Sequence, residues 1–191
     1  MCGVRLFFFQ CHASVAAAKV GFLSHSSKTV VFSHGKESGP WGSKITALSA
    51  VARDLGAQVE SVDYRGIDDP RARVEKLLAV GTSLAGPLVL VGSSLGGHVA
   101  AAAAPRLSTR ALFLMAPAFY MPGFEQYTPV DVTCPVSIVH GWGDAIVPVT
   151  SSIRWAGDRR AQLHVLDSDH RLEDQIGAIG RLFKDFLETL G

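Results

Sequence analysis

The sequence predicts an α/β fold, a doubly wound and mostly parallel six-stranded sheet with helices on both faces. Three observations carry this. From Lys28 onward, short runs of β-branched and aliphatic residues alternate with segments of helical periodicity. The strand-like runs are apolar throughout, not only at every second residue, as in strands covered on both faces. At 191 residues, 48% hydrophobic and only 18% charged, the chain is long and apolar enough to bury such a sheet in one domain.

The elements follow in order. Thr29-Val30-Val31-Phe32 is rich in β-branched residues, ends at Ser33-His34-Gly35 and reads as the first buried strand. Lys44 to Leu55 carries Ile45, Leu48, Val51, Ala52 and Leu55 at helical spacing and stops at Gly56. Gln58 to Val62 is a short strand leading into Asp63-Tyr64-Arg65-Gly66, which reads as a structural turn. Asp69-Pro70 opens a second helix, with Asp as N-cap and Pro at the first helical position, and Val74, Leu77, Leu78 and Leu84 form its apolar side. Pro87 to Val91 is the third strand; it breaks at Gly92 and continues into the helix-forming run His98 to Ala104. Ala111 to Met115 and Pro135 to His140 are the fourth and fifth strands. A short helix follows Pro148, and Gln162 to Leu166 is the sixth strand. Ile176, Ile179, Leu182, Phe183, Phe186 and Leu187 mark a closing amphipathic helix.

Composition excludes several classes of function. A net charge of +1 with no Lys/Arg cluster argues against nucleic acid as a primary partner. Cys2, Cys11 and Cys134 have neither metal-ligand spacing nor the even count of a disulfide framework. A dinucleotide fingerprint is missing. His34-Gly35-Lys36-Glu37-Ser38 also lacks the upstream glycine and the Ser or Thr after the lysine that a phosphate-binding loop needs. No metal and no cofactor are expected. At the N-terminus, Arg5, Leu6-Phe7-Phe8-Phe9 and the small residues Ala13 to Ala18 have a faint secretory-signal shape, interrupted by Gln10, Cys11 and His12. This stretch is too short for a membrane span. Residues 1–27 are expected to be an extension, signal-like or derived from an upstream start, to a domain at 28–191 of a cytoplasmic protein; export is the alternative if they act as a signal peptide.

The junction at the third strand is the most informative feature. Gly92-Ser93-Ser94-Leu95-Gly96 places Gly-x-Ser-x-Gly between a buried strand and a helix. So tight a turn needs small residues two before and two after its apex, which selects Ser94 over Ser93 as the exposed hydroxyl. A serine hydroxyl is a poor nucleophile without a base, and the base is a histidine oriented by a carboxylate. Candidates for both follow later strands: Asp144 in Gly141-Trp142-Gly143-Asp144 after the fifth, and His170 in Asp167-Ser168-Asp169-His170 after the sixth. Asp144 could instead cap the helix near Pro148, and Asp167 or Asp169 could substitute as the acid. Of the other histidines, His12 and His25 fall in the extension, His164 within a strand and His98 on a helix. His34 and His140 belong to loops that position backbone.

Taken together, Gly92-x-Ser94-x-Gly96, His140-Gly141-x-Gly143-Asp144-x-x-Val147-Pro148 and Asp169-His170 resemble the nucleophile, acid and base motifs of the α/β-hydrolase family, over about residues 28–190. Ser33-His34-Gly35-Lys36 resembles that family's His-Gly oxyanion loop. More narrowly, the chain is similar to small, cap-less, dienelactone-hydrolase-like bacterial esterases. The resemblance implies a minimal fold with Ser94 as nucleophile, His170 as base and Asp144 as its orienting acid. The backbone N–H groups of Lys36 and Leu95 would hold the oxyanion, at about 3 kcal/mol per donor. Residues 116–133 are too few for the helical cap found in many members. Their aromatics suggest either edge packing or an apolar lip, with Phe119, Tyr120 and Met121 lining the substrate. The expected activity is hydrolysis of a small-molecule carboxylic ester, small or exposed, through a serine acyl-enzyme. A thioesterase or acyl-peptide hydrolase would use the same residues. A non-catalytic binding module on the same scaffold would be signalled by loss of a triad position, and all three are present.

Overall fold

A computed structural model of the protein describes residues 28–191, so the expectations placed on residues 1–27 lie outside the described residues. The strands are β1 (Thr29–Ser33), β2 (Gln58–Val62), β3 (Leu88–Ser93), β4 (Thr109–Met115), β5 (Val136–Gly141) and β6 (Gln162–Leu166). The helices are α1 (Ser43–Asp54), α2 (Pro70–Ser83), α3 (Leu95–Ala103), α4 (Val149–Arg159) and α5 (Ile176–Thr189). The sheet order is β2-β1-β3-β4-β5-β6. All five pairings are parallel, which sharpens the expectation of a mostly parallel sheet.

The continuous apolar runs are explained by two cores, one on each face. Val30, Phe32, Val89, Val91, Phe113 and Met115 point to one side, where Ile45, Leu48 and Ala52 of α1 meet Ile179, Phe183 and Phe186 of α5. Val31, Leu88, Leu90, Leu112, Leu114 and Ile138 point to the other, under Leu77 of α2, Val99 and Ala100 of α3, and Trp155 of α4. Successive strand residues therefore enter opposite cores, which is why apolar residues run on without alternation. The edge strands β2 and β6 carry the exposed polar residues Gln58, Glu60 and Gln162.

Local signals place the helix ends. Asp69 caps α2 by accepting the Arg71 N–H at 3.0 Å, with Pro70 as the first helical residue. The helix after Pro148 is eleven residues, longer than expected, and its Trp155 is wholly buried, donating its indole N–H to the Pro129 carbonyl at 2.7 Å. Among the described residues, no helix is long and apolar enough to cross a membrane.

The chain runs from β1 outward to β2, then crosses back past β1 to β3 and continues the other way. At this reversal the loops leaving β1 and β3 diverge toward α1 on one face and α3 on the other, opening a crevice at the carboxyl ends of the strands. His34 and Ser94 follow those two strand ends.

The segment 116–133 contains one short 3₁₀ turn, Glu125–Tyr127. Phe119 departs from the expectation of a substrate-lining residue. It has no exposed surface and stacks on Trp155, with ring centroids 4.9 Å apart, because the loop turns inward there to close the core above α4. Phe124 and Tyr127 are the exposed aromatics of this segment, at 64% and 51%. Phe119→Ala is therefore expected to lower unfolding free energy by about 3–5 kcal/mol in urea titrations. Phe124→Ala should change it by less than about 0.5 kcal/mol.

Candidate active site

The turn from β3 into α3 holds Ser94 at φ 54°, ψ −122°, a conformation that L-residues rarely adopt. The surrounding glycines make it possible. A Cβ at Gly92 would stand 2.5 Å from the Gly96 carbonyl oxygen, and one at Gly96 would stand 2.0 Å from the Ser33 carbonyl oxygen. At Gly97 it would meet Pro117 at 2.9 Å. The strained residue is tied on both sides: its N–H donates to the Met115 carbonyl at 2.9 Å, and its carbonyl accepts from Gly97 at 2.9 Å and Ala118 at 3.0 Å. Ser93 is buried, as the glycine spacing requires, and Ser94 is half-buried.

His170 Nε2 lies 2.9 Å from Ser94 Oγ, and His170 Nδ1 lies 2.7 Å from Asp144 Oδ2. In the tautomer these partners require, Nδ1–H donates to the carboxylate and Nε2 accepts from the serine hydroxyl. The side chain of His170 is 15% exposed, whereas that of Asp144 has no exposed surface. Asp167 and Asp169 do not share this site. Asp167 is exposed, and Asp169 accepts the N–H groups of Arg171 and Leu172 at 2.8 and 3.2 Å, closing the turn that carries His170. That turn is anchored by Leu172, wholly buried in the core beside α1 and α5, and by the Lys44 amine, which donates to the Arg171 carbonyl.

Asp144 does not cap α4. Its Oδ1 accepts from the N–H groups of Ile146 at 2.9 Å and Val147 at 2.8 Å within its own loop. Burial opposes ionisation of this carboxyl, but hydrogen bonds from His170 and from the Val147 and Ile146 amides outweigh it and hold the carboxyl below its ordinary value.

The sequence reading missed the side chain of His140. It is wholly buried, and its Nε2 lies 3.0 Å from both Asp144 Oδ2 and the Val147 carbonyl, while Nδ1 lies 2.7 Å from Ser152 Oγ of α4. Two acceptors at Nε2 make it the protonated nitrogen, so Nδ1 accepts from the Ser152 hydroxyl. Burial depresses the pKa of His140, overriding the nearby Val147 carbonyl and Asp144 carboxylate. A signal was present in the sequence: a histidine at the end of a buried strand, four residues before a carboxylate, needs a buried partner. The neighbouring glycines have a cause as well. A Cβ on Gly141 would stand 2.4 Å from the Ser168 carbonyl oxygen, and Gly143 N–H donates to that same oxygen at 2.9 Å. The acid and base loops touch backbone to backbone.

On the other side of Ser94, Gly35 packs so closely that its Cβ would lie 3.4 Å from Ser94 Cβ. The N–H groups of Lys36 and Leu95 donate to no acceptor among the described residues. The Lys36 and Glu37 residues are exposed. Tyr120 is half-buried, its ring covered by the Arg154 guanidinium at 4.1 Å, and Met121 is half-buried beside it. Tyr64 of the turn after β2 is wholly buried, and Asp63 closes that turn on the Arg65 N–H at 3.0 Å, a structural turn as expected.

Comparison with known proteins agrees with this architecture. The model of the alpha/beta hydrolase family matches residues 30–188. A Xanthomonas campestris protein assigned to the α/β superfamily of hydrolases is 36% identical, with a TM-score of 0.79 over 85% of this chain and 98% of that one. The mitochondrial palmitoyl-protein thioesterase ABHD10 of Bos taurus is 26% identical over 80% of this chain and 70% of its own length. The structure of alpha/beta hydrolase domain-containing protein 10 from mouse superposes with a TM-score of 0.69 at 23% identity, over 85% of this chain and 90% of that one.

The buried histidines give folding stability a pH dependence of definite sign. His34, His98 and His140 are each held below the ordinary value of 6.5, in every case chiefly by burial. Below that pH the unfolded chain binds protons that the folded chain refuses, so stability declines as pH falls, by up to about 1.4 kcal/mol per pH unit for each histidine. Asp144, with its lowered value, titrates in a more acidic window. Urea denaturation from about pH 8 to 5.5 should show the decline, and His140→Gln should reduce its slope. Stability that is flat over this range would contradict it.

Proposed function

Because this chain belongs to the alpha/beta hydrolase family, we propose that it is a serine hydrolase that cleaves small or exposed carboxylic esters through an acyl-enzyme. The observation that carries this reading is the unbroken chain from Ser94 Oγ to His170 at 2.9 Å and from His170 to Asp144 at 2.7 Å.

In this reading Ser94 Oγ attacks the carbonyl carbon as His170 Nε2 takes its proton. Asp144 keeps Nδ1 protonated and stabilises the imidazolium that forms. The carbonyl electron pair moves onto oxygen, where the Lys36 and Leu95 N–H groups receive it. Collapse of the tetrahedral intermediate breaks the bond to the leaving alcohol, which takes the proton from His170. A water molecule then repeats the sequence on the acyl-serine, with His170 as base, and releases the carboxylic acid. The oxyanion donors cost no reorganisation at the moment of reaction, because both belong to backbone already held in place.

A His170 side chain that is still 15% exposed and a 116–133 segment with only one 3₁₀ turn favour substrates whose scissile group is accessible from solvent. Met121, half-buried, is the proposed contact for an acyl or alcohol group, while the Tyr120 ring packs against Arg154. A second reading, thioester cleavage by the same residues, is favoured by the name of the bovine relative.

A fluorophosphonate serine probe is expected to form one adduct, on Ser94. Ser94→Ala should remain folded, take up no probe and lose at least about a thousandfold in turnover. Turnover of an oxyester and a thioester with the same acyl group then separates the two readings. Absence of label on the folded wild-type protein would overturn both.

A further inference from the structure

One buried cation has no part in the chemistry above. Arg73 of α2 is 2% exposed and sits four residues before the core residue Leu77, within the buried stripe of its helix. Among the described residues no carboxylate forms a salt bridge with it. Removing a guanidinium from water without a counter-ion is unfavourable unless its donors are otherwise engaged. Arg73 Nε donates to the Ile67 carbonyl at 2.6 Å, and Nη1 faces the carbonyls of His34 at 3.4 Å and Gly35 at 3.3 Å. The guanidinium also lies 5.2 Å from the centre of the Tyr64 ring.

The Gly35 carbonyl has a second donor. His34 Nε2 accepts the Tyr64 N–H at 2.9 Å, so the ring proton is on Nδ1, which donates to Gly35 O at 2.7 Å. In a trans peptide the C=O and N–H point in opposite directions. With the Gly35 oxygen drawn toward Arg73 and His34, the Lys36 N–H of the same peptide group faces the other way. Among the described residues that N–H has no acceptor, and a Cβ at Gly35 would come within 3.4 Å of Ser94 Cβ, so this backbone runs beside the serine.

We propose that Arg73 is a positioning residue for the oxyanion hole: it holds the Gly35–Lys36 peptide so that the Lys36 N–H meets a carbonyl oxygen bound at Ser94. A cation on the oxygen side of this peptide also polarises it and strengthens the N–H as a donor. The inference rests on the serine-hydrolase reading. It assigns a role to a residue twenty-one positions before Ser94 and outside the motifs described above, acting through the Gly35–Lys36 peptide.

Arg73→Met tests this with p-nitrophenyl acetate as substrate and phenylboronic acid as a mimic of the tetrahedral intermediate. The expected result is kcat lowered about 10- to 100-fold with KM within about threefold, and phenylboronate binding weakened in proportion to kcat. A merely structural arginine would lower Tm without this parallel loss. Folded Arg73→Met with kcat and phenylboronate affinity within about twofold of wild type would overturn the proposal. If that variant does not fold, Arg73→Lys keeps the stem and charge, but its single ammonium cannot serve Ile67 and Gly35 together. Its phenylboronate affinity should fall at least about fivefold, and unchanged affinity would likewise overturn the proposal. Fluorophosphonate labelling separates the two layers. Wild-type protein without label removes the serine-hydrolase reading and this inference with it. Labelled wild type with an unaffected Arg73→Met removes the role of Arg73 alone.

Discussion

The rest of the site depends on how closely β1, β3 and α3 approach one another around Ser94. The carbonyl of Ser33, the last residue of β1, occupies the space a side chain at Gly96 would fill. This contact brings the His34–Gly35 backbone against the serine and lets the first turn of α3 start immediately after it. A backbone such as that of Ser94 costs about 1–3 kcal/mol and persists only where its surroundings over-determine it. Here they do: a bond to the Met115 carbonyl and bonds from the Ala118 and Gly97 amides hold the peptide groups on both sides. Relaxing the turn would withdraw the hydroxyl from His170.

A second network holds the acid. Asp144 is buried, so each of its oxygens must be satisfied, and the partners come from four places: its own loop, His140 of β5, Ser152 of α4 through His140, and His170 beyond β6. In a low-dielectric interior such bonds are strong when complete and costly when broken. The network is complete, and among the described residues Ser137 Oγ is the buried side-chain polar atom without a partner. Helix α4 thus covers the sheet with Trp155 and also braces the carboxylate through Ser152, which couples packing on one face to geometry at the strand ends.

Much of this was legible in the sequence. Apolar runs and helix signals located the six strands to within about two residues and brought out all five helices, although α3 starts three residues earlier than its helix-forming run and α4 is longer than expected, because strand period, N-caps and glycine stops are local. The glycine spacing singled out Ser94, and chain order brought forward Asp144 and His170. The aromatics of 116–133 show where locality ends. Phe119, Tyr120 and Phe124 look alike in sequence, yet one is core, one lies under Arg154 and one is exposed.

What the sequence determined by itself was the succession of elements and the polar residues that follow strand ends, since both rest on patterns a few residues long. What only the tertiary structure decided was which polar groups are buried and what satisfies them. His140 reads as loop backbone until Ser152 and Asp144 stand on either side of it, and nothing in the sequence marks Arg73 until it lies beneath the carbonyls of residues 34 and 35. Their partners include residues twelve, thirty-eight and thirty-nine positions away, brought into contact by the closing of the sheet and its helices. Burial and hydrogen bonding are properties of the assembled fold, and no local pattern specifies them.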